Sequence, residues 1–260
     1  MSSQEVAICI PKRLPPNKLI AAAKTAADYN PTNLPPVNRM AALGIAPTKE
    51  RIAVLTSKYW GSKGVKLTVG FMDNAEKALR DKILSHMNAW AKTGNVNFVY
   101  TAKTSDAQVR IARVANDGYW SYLGTDVLHI AKSKQTMNLE AFTMKTPDSE
   151  FFRVVRHETG HTLGFPHEHM RRAVVKRIDE KKAIEYFGRT QGWTPTEVRQ
   201  QVLTPIEETA LIATPGADET SIMCYQIPGS ITLNSKPIIG GLDINATDYS
   251  FAGKIYPKVK

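Results

Sequence analysis

Cysteine is scarce in this chain. Only Cys9 and Cys224 occur among 260 residues, near opposite ends. A disulfide scaffold is therefore excluded, and reduced thiols in a reducing compartment are expected. Long apolar runs are missing too: none approaches the ~18 residues of a membrane span. The early run Val6-Ala7-Ile8-Cys9-Ile10 is too short for a signal-peptide core, and no basic segment precedes it. The expectation is a cytoplasmic protein without membrane contact, or one delivered outside the cell without a leader. Internal repeats, low-complexity tracts and long like-charge blocks are also absent, although Lys+Arg exceed Asp+Glu by 34 to 24. The densest basic stretch, residues 171–182, is diluted by Asp179 and Glu180 and reads as a solvated face. Without a recognition motif beside it, no nucleic-acid partner is expected. What remains is 42% hydrophobic residues with 16 Gly and 15 Pro, an ordinary globular composition. The length suffices for one large domain with a real core.

Texture divides the chain. Residues 1–58 carry Pro11, Pro15, Pro16, Pro31, Pro35, Pro36 and Pro47 around one expected helix, residues 17–29, with Asn17 as its cap. Such proline density precludes long regular elements. It points to an extension wrapped on, or leading into, a main domain of residues 59–260. Within that domain, 65–71 alternates like a half-buried strand, and 96–100, 109–114 and, more weakly, 127–130 read as strands. Asp73 with Glu76 suggests a capping box, followed by a helix burying Ala75, Leu79, Ile83, Met87 and Trp90. A helix is expected from about Glu150 until Gly164. Later helices start after Asp179 and Thr194, and a terminal one covers 246–255 behind Asn245. Strands thus precede Gly164 and helices follow it, an α+β order. Gly164 thereby separates residues 59–164 from residues 165–260.

Four of the six histidines fall between positions 157 and 169, in His157-Glu158-Thr159-Gly160-His161-Thr162-Leu163-Gly164-Phe165-Pro166-His167-Glu168-His169. On a helix, His157 and His161 lie one turn apart on one face, so two imidazoles can reach one ion. Gly164 can take positive φ, turn the chain and bring His167 back as a third ligand. Three neutral imidazoles with one position left for water suit a catalytic Zn²⁺. Glu158, beside the metal but not bound to it, is then the general base. It takes a proton from water that the metal acidifies and delivers it to the leaving amine. Chance agreement over these five fixed positions is below about one in 10⁵ per chain. His169 reads as a neighbour of the site or a surface histidine, and the isolated His86 and His129 read as structural.

This His-Glu-x-x-His-x-x-Gly-x-x-His stretch resembles the metzincin zinc endopeptidases. Glu168 directly after the third histidine narrows the resemblance to their astacin-like branch. Gly118-Tyr119-Trp120-Ser121-Tyr122-Leu123-Gly124 is similar to a further astacin segment, with Tyr119 in place of a cysteine. His167-Glu168-His169-Met170-Arg171 matches the family's His-Glu-x-x-Arg. Ser221-Ile222-Met223-Cys224-Tyr225 resembles its Met-turn, apart from Cys224. The resemblance implies a twisted mixed sheet with two helices above the zinc cleft and a more irregular, helical part below it. It implies Met223 as the hydrophobic floor beneath one catalytic zinc. It also implies Tyr225 as a tyrosine that swings to stabilise the oxyanion, with Gly164 and Glu168 as structural supports.

The sequence also departs from the family. The four cysteines of the two astacin disulfides are missing. So is the arginine after the Met-turn that reads an acidic residue behind the cut: no Arg follows Arg199, and Lys236 is the only cation between Tyr225 and Lys254.

The expected protein is therefore a monomeric zinc metalloendopeptidase acting on peptides or proteins. A substrate strand is expected to pair with a sheet edge within residues 120–130. The alternative is a metzincin scaffold that binds peptide with little or no turnover. Cys9, in the proline-terminated Ile8-Cys9-Ile10-Pro11, is a candidate latency ligand, since zinc prefers thiolate. Its apolar neighbours equally suit a small buried side chain.

Overall fold

The alternating residues Val65, Leu67, Val69 and Phe71 are all buried and form one face of β1 (Val65–Phe71) in a computed structural model that describes Cys9 and residues 12–42, 44–205 and 216–258. On one side β1 pairs in parallel with β2 (Val96–Tyr100), on the other with β3 (Val109–Ala112). β3 runs parallel to β5 (Met137–Leu139), and β4 (Tyr119–Ser121) ends the five-stranded sheet, antiparallel to β5. The order β2-β1-β3-β5-β4 leaves β4 as an edge of the sheet, where Cys9 makes a single bridge to Tyr119. Among the described residues, no helix is long and apolar enough to cross a membrane.

Two helical rods pack on this sheet. α4 (Lys77–Met87) buries Leu79, Ile83 and Met87 at helical spacing, and its 3₁₀ continuation buries Trp90. Each such side chain contributes about 1.5–3 kcal/mol by leaving water. The second rod is continuous: α5 (Asp148–Glu150), a π turn over Phe151–Val155, and α6 (Arg156–Thr162). Phe151, Val154 and Val155 enter the same core as the sheet and α4. The Trp90 indole donates to the Arg156 carbonyl at 2.9 Å and that of Trp60 to Thr162 at 2.8 Å, so the core grips α6 at both ends.

Below the cleft lies a second core. Here α7 (Arg172–Val175), α8 (Glu180–Gln191) and α9 (Pro195–Val198) gather Val174, Phe187, Trp193 and Val198 around Cys9, Cys224 and Tyr225. The expected caps form here: Asp179 accepts from Lys182 N, and Thr194 with Glu197 closes a capping box. α10 (Ala246–Ile255), boxed by Asn245 and Asp248, returns to the upper core through Ala252 and Ile255.

The proline-rich segment is more regular than its composition suggests. It holds α1 (Leu19–Tyr29), α2 (Val37–Ala42) and α3 (Lys49–Leu55), all short, as proline spacing requires. Ala22, Ala23 and Ala26 let α1 lie close against the 3₁₀ turn Gly124–His129. Asn33, wholly buried, donates to the carbonyls of Ala26 and Tyr59 and accepts from Tyr59 N, which stitches the segment to the chain entering β1. Of the stretch Ile8-Cys9-Ile10-Pro11, only Cys9 lies within the described residues.

Several expected elements differ. α4 begins at Lys77, because Asp73 is used elsewhere: it accepts from Ala75 N and pairs with Arg113 at 2.8 Å. The first helix begins behind Lys18 without a side-chain cap, since Pro16 opens a 3₁₀ turn there. Residues 127–130 form no strand. Gly124 has φ +46°, and a 3₁₀ turn buries Val127 without a ladder. The edge strand is accordingly Tyr119–Ser121, at the start of the expected window and one residue before it.

Candidate active site

His157 and His161 project from one face of α6, one turn apart. Each ring has its Nδ1 tied to a backbone carbonyl, His157 to Ile222 at 2.6 Å and His161 to Phe165 at 2.8 Å. With Nδ1–H donating, both Nε2 lone pairs point into the cleft. Gly164 N bonds to the His161 carbonyl and Phe165 N to that of Gly160, and Gly164 turns the chain at φ +94°. A side chain at Gly164 would also meet the Lys58 backbone at 3.0 Å. The return brings His167 Nε2 to 3.1 Å from His157 Nε2 and 3.0 Å from His161 Nε2. Ligand atoms around a tetrahedral zinc with bonds of ~2.0–2.1 Å stand about 3.3 Å apart, so the three nitrogens fit one ion closely. Burial pushes the pKa of His157 down to about 4 and those of His161 and His167 well below the usual histidine range. Neutral imidazoles are the ligand form.

Cys9, the candidate latency ligand, lies at the same place. Its Sγ and the three histidine nitrogens all lie within 4.8 Å of one another, and among the described residues they form the one group able to hold a metal. The thiol donates to Glu158 Oε2 at 3.4 Å, and the Cys9 carbonyl accepts from the Tyr225 hydroxyl. Cys9 also bridges Tyr119, and Lys12 bridges Tyr122, both in parallel. Cys9 and Lys12 thus both lie beside the β4 edge, with Lys12 over the Trp120 ring at 4.8 Å.

Glu158 is only 1% exposed, and burial raises its pKa to about 8 against the lowering effects of the Cys9 bond and the Arg153 charge. Tyr225 is buried, with its ring stacked on His169 at 3.8 Å and 17° and tilted against His167 at 4.4 Å. His169 is therefore no surface residue. Fully buried, with its Nε2 on the Gln201 carbonyl, it backs the Tyr225 ring. Met223 lies directly under α6. A Cβ on Gly160 would sit 2.4 Å from Met223 Sδ, so the glycine lets Met223 come this close to the helix. Glu168 N bonds to the Met223 carbonyl at 2.9 Å, which ties the third histidine's loop to that floor.

One organiser of the site went unread in the sequence. Asp248 on α10 accepts from Ser221 Oγ at 2.6 Å and Ile222 N at 3.0 Å, which fixes the turn that presents Met223 and Tyr225. Its only sequence signal is the third position after Asn245, where it completes the helix cap. His86 and His129 stay outside the site. His86 lies edge-on to Phe152, and His129 bonds Thr25 at 2.9 Å.

Three imidazoles converging from a helix and its glycine turn, with a buried glutamate between two of them in sequence, define a zinc metallopeptidase. The chain belongs to the astacin family of peptidases, whose family model matches residues 54–185. A solved structure of myroilysin is 29% identical and superposes with a TM-score of 0.73, covering 78% of this chain and 97% of that one. A crystal structure of myroilysin is also 29% identical, with a TM-score of 0.59 over 78% and 87%. High choriolytic enzyme 1, a hatching enzyme zinc-protease from the medaka fish Oryzias latipes, is 18% identical, with a TM-score of 0.51 over 78% and 95%, and shares the fold. No curated protein sequence matches the chain.

Proposed function

We propose that this zinc metallopeptidase is an endopeptidase in which His157, His161 and His167 hold the metal and Glu158 is the general base. The observation that carries this reading is the meeting of three Nε2 atoms beside the buried Glu158 carboxylate. Zinc, when bound, supplies a Lewis acid that acidifies water and polarises the scissile carbonyl. Glu158 takes the proton of the attacking water and returns it to the leaving amine. Tyr225, held by His169, donates to the oxyanion as it forms. Met223 and Glu168 keep the cleft's floor and the third ligand in register. An extended substrate adds a strand to the β4 edge.

The catalytic domain is proposed to span residues 59–260, with Cys9 as a latency ligand. The Cys9 thiol reaches the metal-ligand group, its carbonyl engages Tyr225, and its segment lies on the edge that a substrate strand would use. Residues 14–58, packed through α1 and Asn33, stay with the domain when the stretch around Cys9 leaves. The deciding experiment uses the zinc-loaded Cys9→Ala chain on a complex peptide mixture, with cuts mapped by mass spectrometry. Adding Glu158→Gln should retain zinc and remove nearly all cuts, about 10²–10⁴-fold. A double variant cutting at the parent rate would sink the mechanism.

A further inference from the structure

We propose that Asp117 and Trp120 build a subsite at the β4 edge for a cationic substrate side chain, a lysine or an arginine, a few residues away from the cut. This rests on the endopeptidase reading above and adds to it a substrate class. The chain's own Lys12 shows the fit. Cys9 bridges Tyr119 and Lys12 bridges Tyr122, both in parallel and in one register, so the two residues lie where an extended strand on this edge would run. Cys9 stands at the histidine nitrogens. Lys12 is three residues on, about 10 Å along an extended chain. There its Nζ lies 4.8 Å over the Trp120 ring and 3.9 Å from Asp117 Oδ1. A substrate strand on the same edge brings one of its side chains to the same ring and carboxylate.

Both members of the subsite are held by neighbours of their own. Trp120 is buried, and its indole Nε1 donates to Asp117 Oδ2 at 3.1 Å, which fixes ring and carboxylate together while Oδ1 faces the cation. Tyr122 meets the Trp120 ring edge-on, at 5.9 Å and 86°. The loop carrying Asp117 is pinned by Glu140, which accepts from Asn116 N at 2.6 Å and from Gly118 N at 2.8 Å. Asn138 donates to the Gly118 carbonyl at 2.7 Å. A cation over the indole face with a carboxylate at its side meets the negative face of the ring quadrupole and an opposite charge at once. A neutral side chain loses both attractions, and an acidic one is repelled by Asp117. Lys12 and Asp117 keep 35% and 32% of their side chains exposed, so water and salt screen the pair and the preference is modest. Neither Asp117 nor Trp120 lines the pocket beside His157 and Glu158, so the subsite acts on binding and not on the reacting atoms.

The test takes the zinc-loaded full chain with Cys9→Ala and Lys12→Ala, which clears both metal and subsite, and peptide pairs identical except for Lys against Met, the position scanned along the peptide. At one position, roughly two to four residues from the cut and on one side only, kcat/KM should favour Lys by about 3–10-fold, the joint scale of an exposed cation–π contact and a surface ion pair. The gain should fall on KM, with kcat nearly unchanged, and shrink in high salt. Asp117→Asn, which can still accept from the indole, should remove most of the preference, and Asp117→Lys should reverse it. Restoring Lys12 should raise KM, because the chain's own lysine then competes for the edge. A second arm reads binding without turnover: calorimetry of the same pairs on the zinc-loaded Cys9→Ala, Lys12→Ala, Glu158→Gln chain should give the same order of Kd. Equal use of Lys and Met peptides at every position, or a preference unchanged in Asp117→Asn, overturns the proposal. If no peptide is cut but binding still favours Lys and loses that with Asp117→Asn, the endopeptidase reading fails and the subsite stands. If Asp117→Asn does not fold, the rise in KM on restoring Lys12, and its loss in high salt, decide.

Discussion

Two stretches of chain meet at the metal centre, and they are held there differently. Residues 157–169 close their own turn: the bonds of His161 to Phe165, Gly164 to His161 and Phe165 to Gly160 all span at most five positions. The segment at Cys9 reaches the same point across 149 positions to Glu158 and 216 to Tyr225. Local closure costs little chain entropy and gives a site that assembles with its helix. The contacts of Cys9 bridge distant parts of the chain and depend on tertiary packing alone. The comparison separates a histidine cradle closed largely by local bonds from an occupant of the same cleft that long-range contacts hold.

The comparison breaks most visibly on Cys9. The intact chain should cut a test peptide slowly or not at all, and Cys9→Ser or Cys9→Ala should relieve this without prior cleavage. Equal activity of the intact and substituted chains would make Cys9 an ordinary buried side chain. Next in size, Tyr225→Phe in the Cys9→Ala background should lower kcat by roughly one to three orders of magnitude with KM nearly unchanged, as for a lost oxyanion donor. A rise in KM alone would make Tyr225 a wall of the substrate site.

The local cradle should be sensitive to its turn. Gly164→Ala forces a side chain to φ +94° and against the Lys58 backbone. It should cost about 1–3 kcal/mol, lower the melting temperature and weaken zinc binding by misplacing His167. Unchanged zinc affinity would show that the return loop does not depend on this turn. The smallest effect lies away from the cleft, where α1 packs on the turn that carries Asp126. Burial raises this carboxyl to about 6, against the opposing charge of Lys58, 4.0 Å away. A pKa raised in the folded state means that the fold binds the extra proton. The contribution is full below about pH 4 and fades as pH climbs towards 6, by at most about 1.4 kcal/mol per unit. Denaturant titrations from about pH 4 to 7 should show that slope in the parent and a flatter line for Asp126→Asn. Identical slopes would refute the assignment.

Legibility in the sequence follows the range of the forces involved. β1, β2 and α10 lie where their periodicity and caps place them, because period and cap are local properties of consecutive residues. The histidine cluster was readable for the same reason, since all its spacing sits within one helix and one turn. Residues 127–130 misled because their apolar side chains satisfy a core and not a ladder. β5 was missed because three residues carry no measurable period. Asp73 was misassigned because Arg113, forty positions on, competes for it.

What the sequence determined alone was the histidine helix, its glycine return, the placing of β1 and β2 before Gly164, and the grouping of three histidines with a glutamate. Tertiary structure decided what faces that centre. Packing stacked His169 on Tyr225, set Asp248 beneath the turn at Met223, brought Arg153 into the cleft wall and delivered Cys9 to the three histidines. Each of these placements joins residues more than twenty positions apart, whatever local bonds the same side chains also make. They follow from the closing of two cores around one cleft, and chain spacing carries no record of that closure.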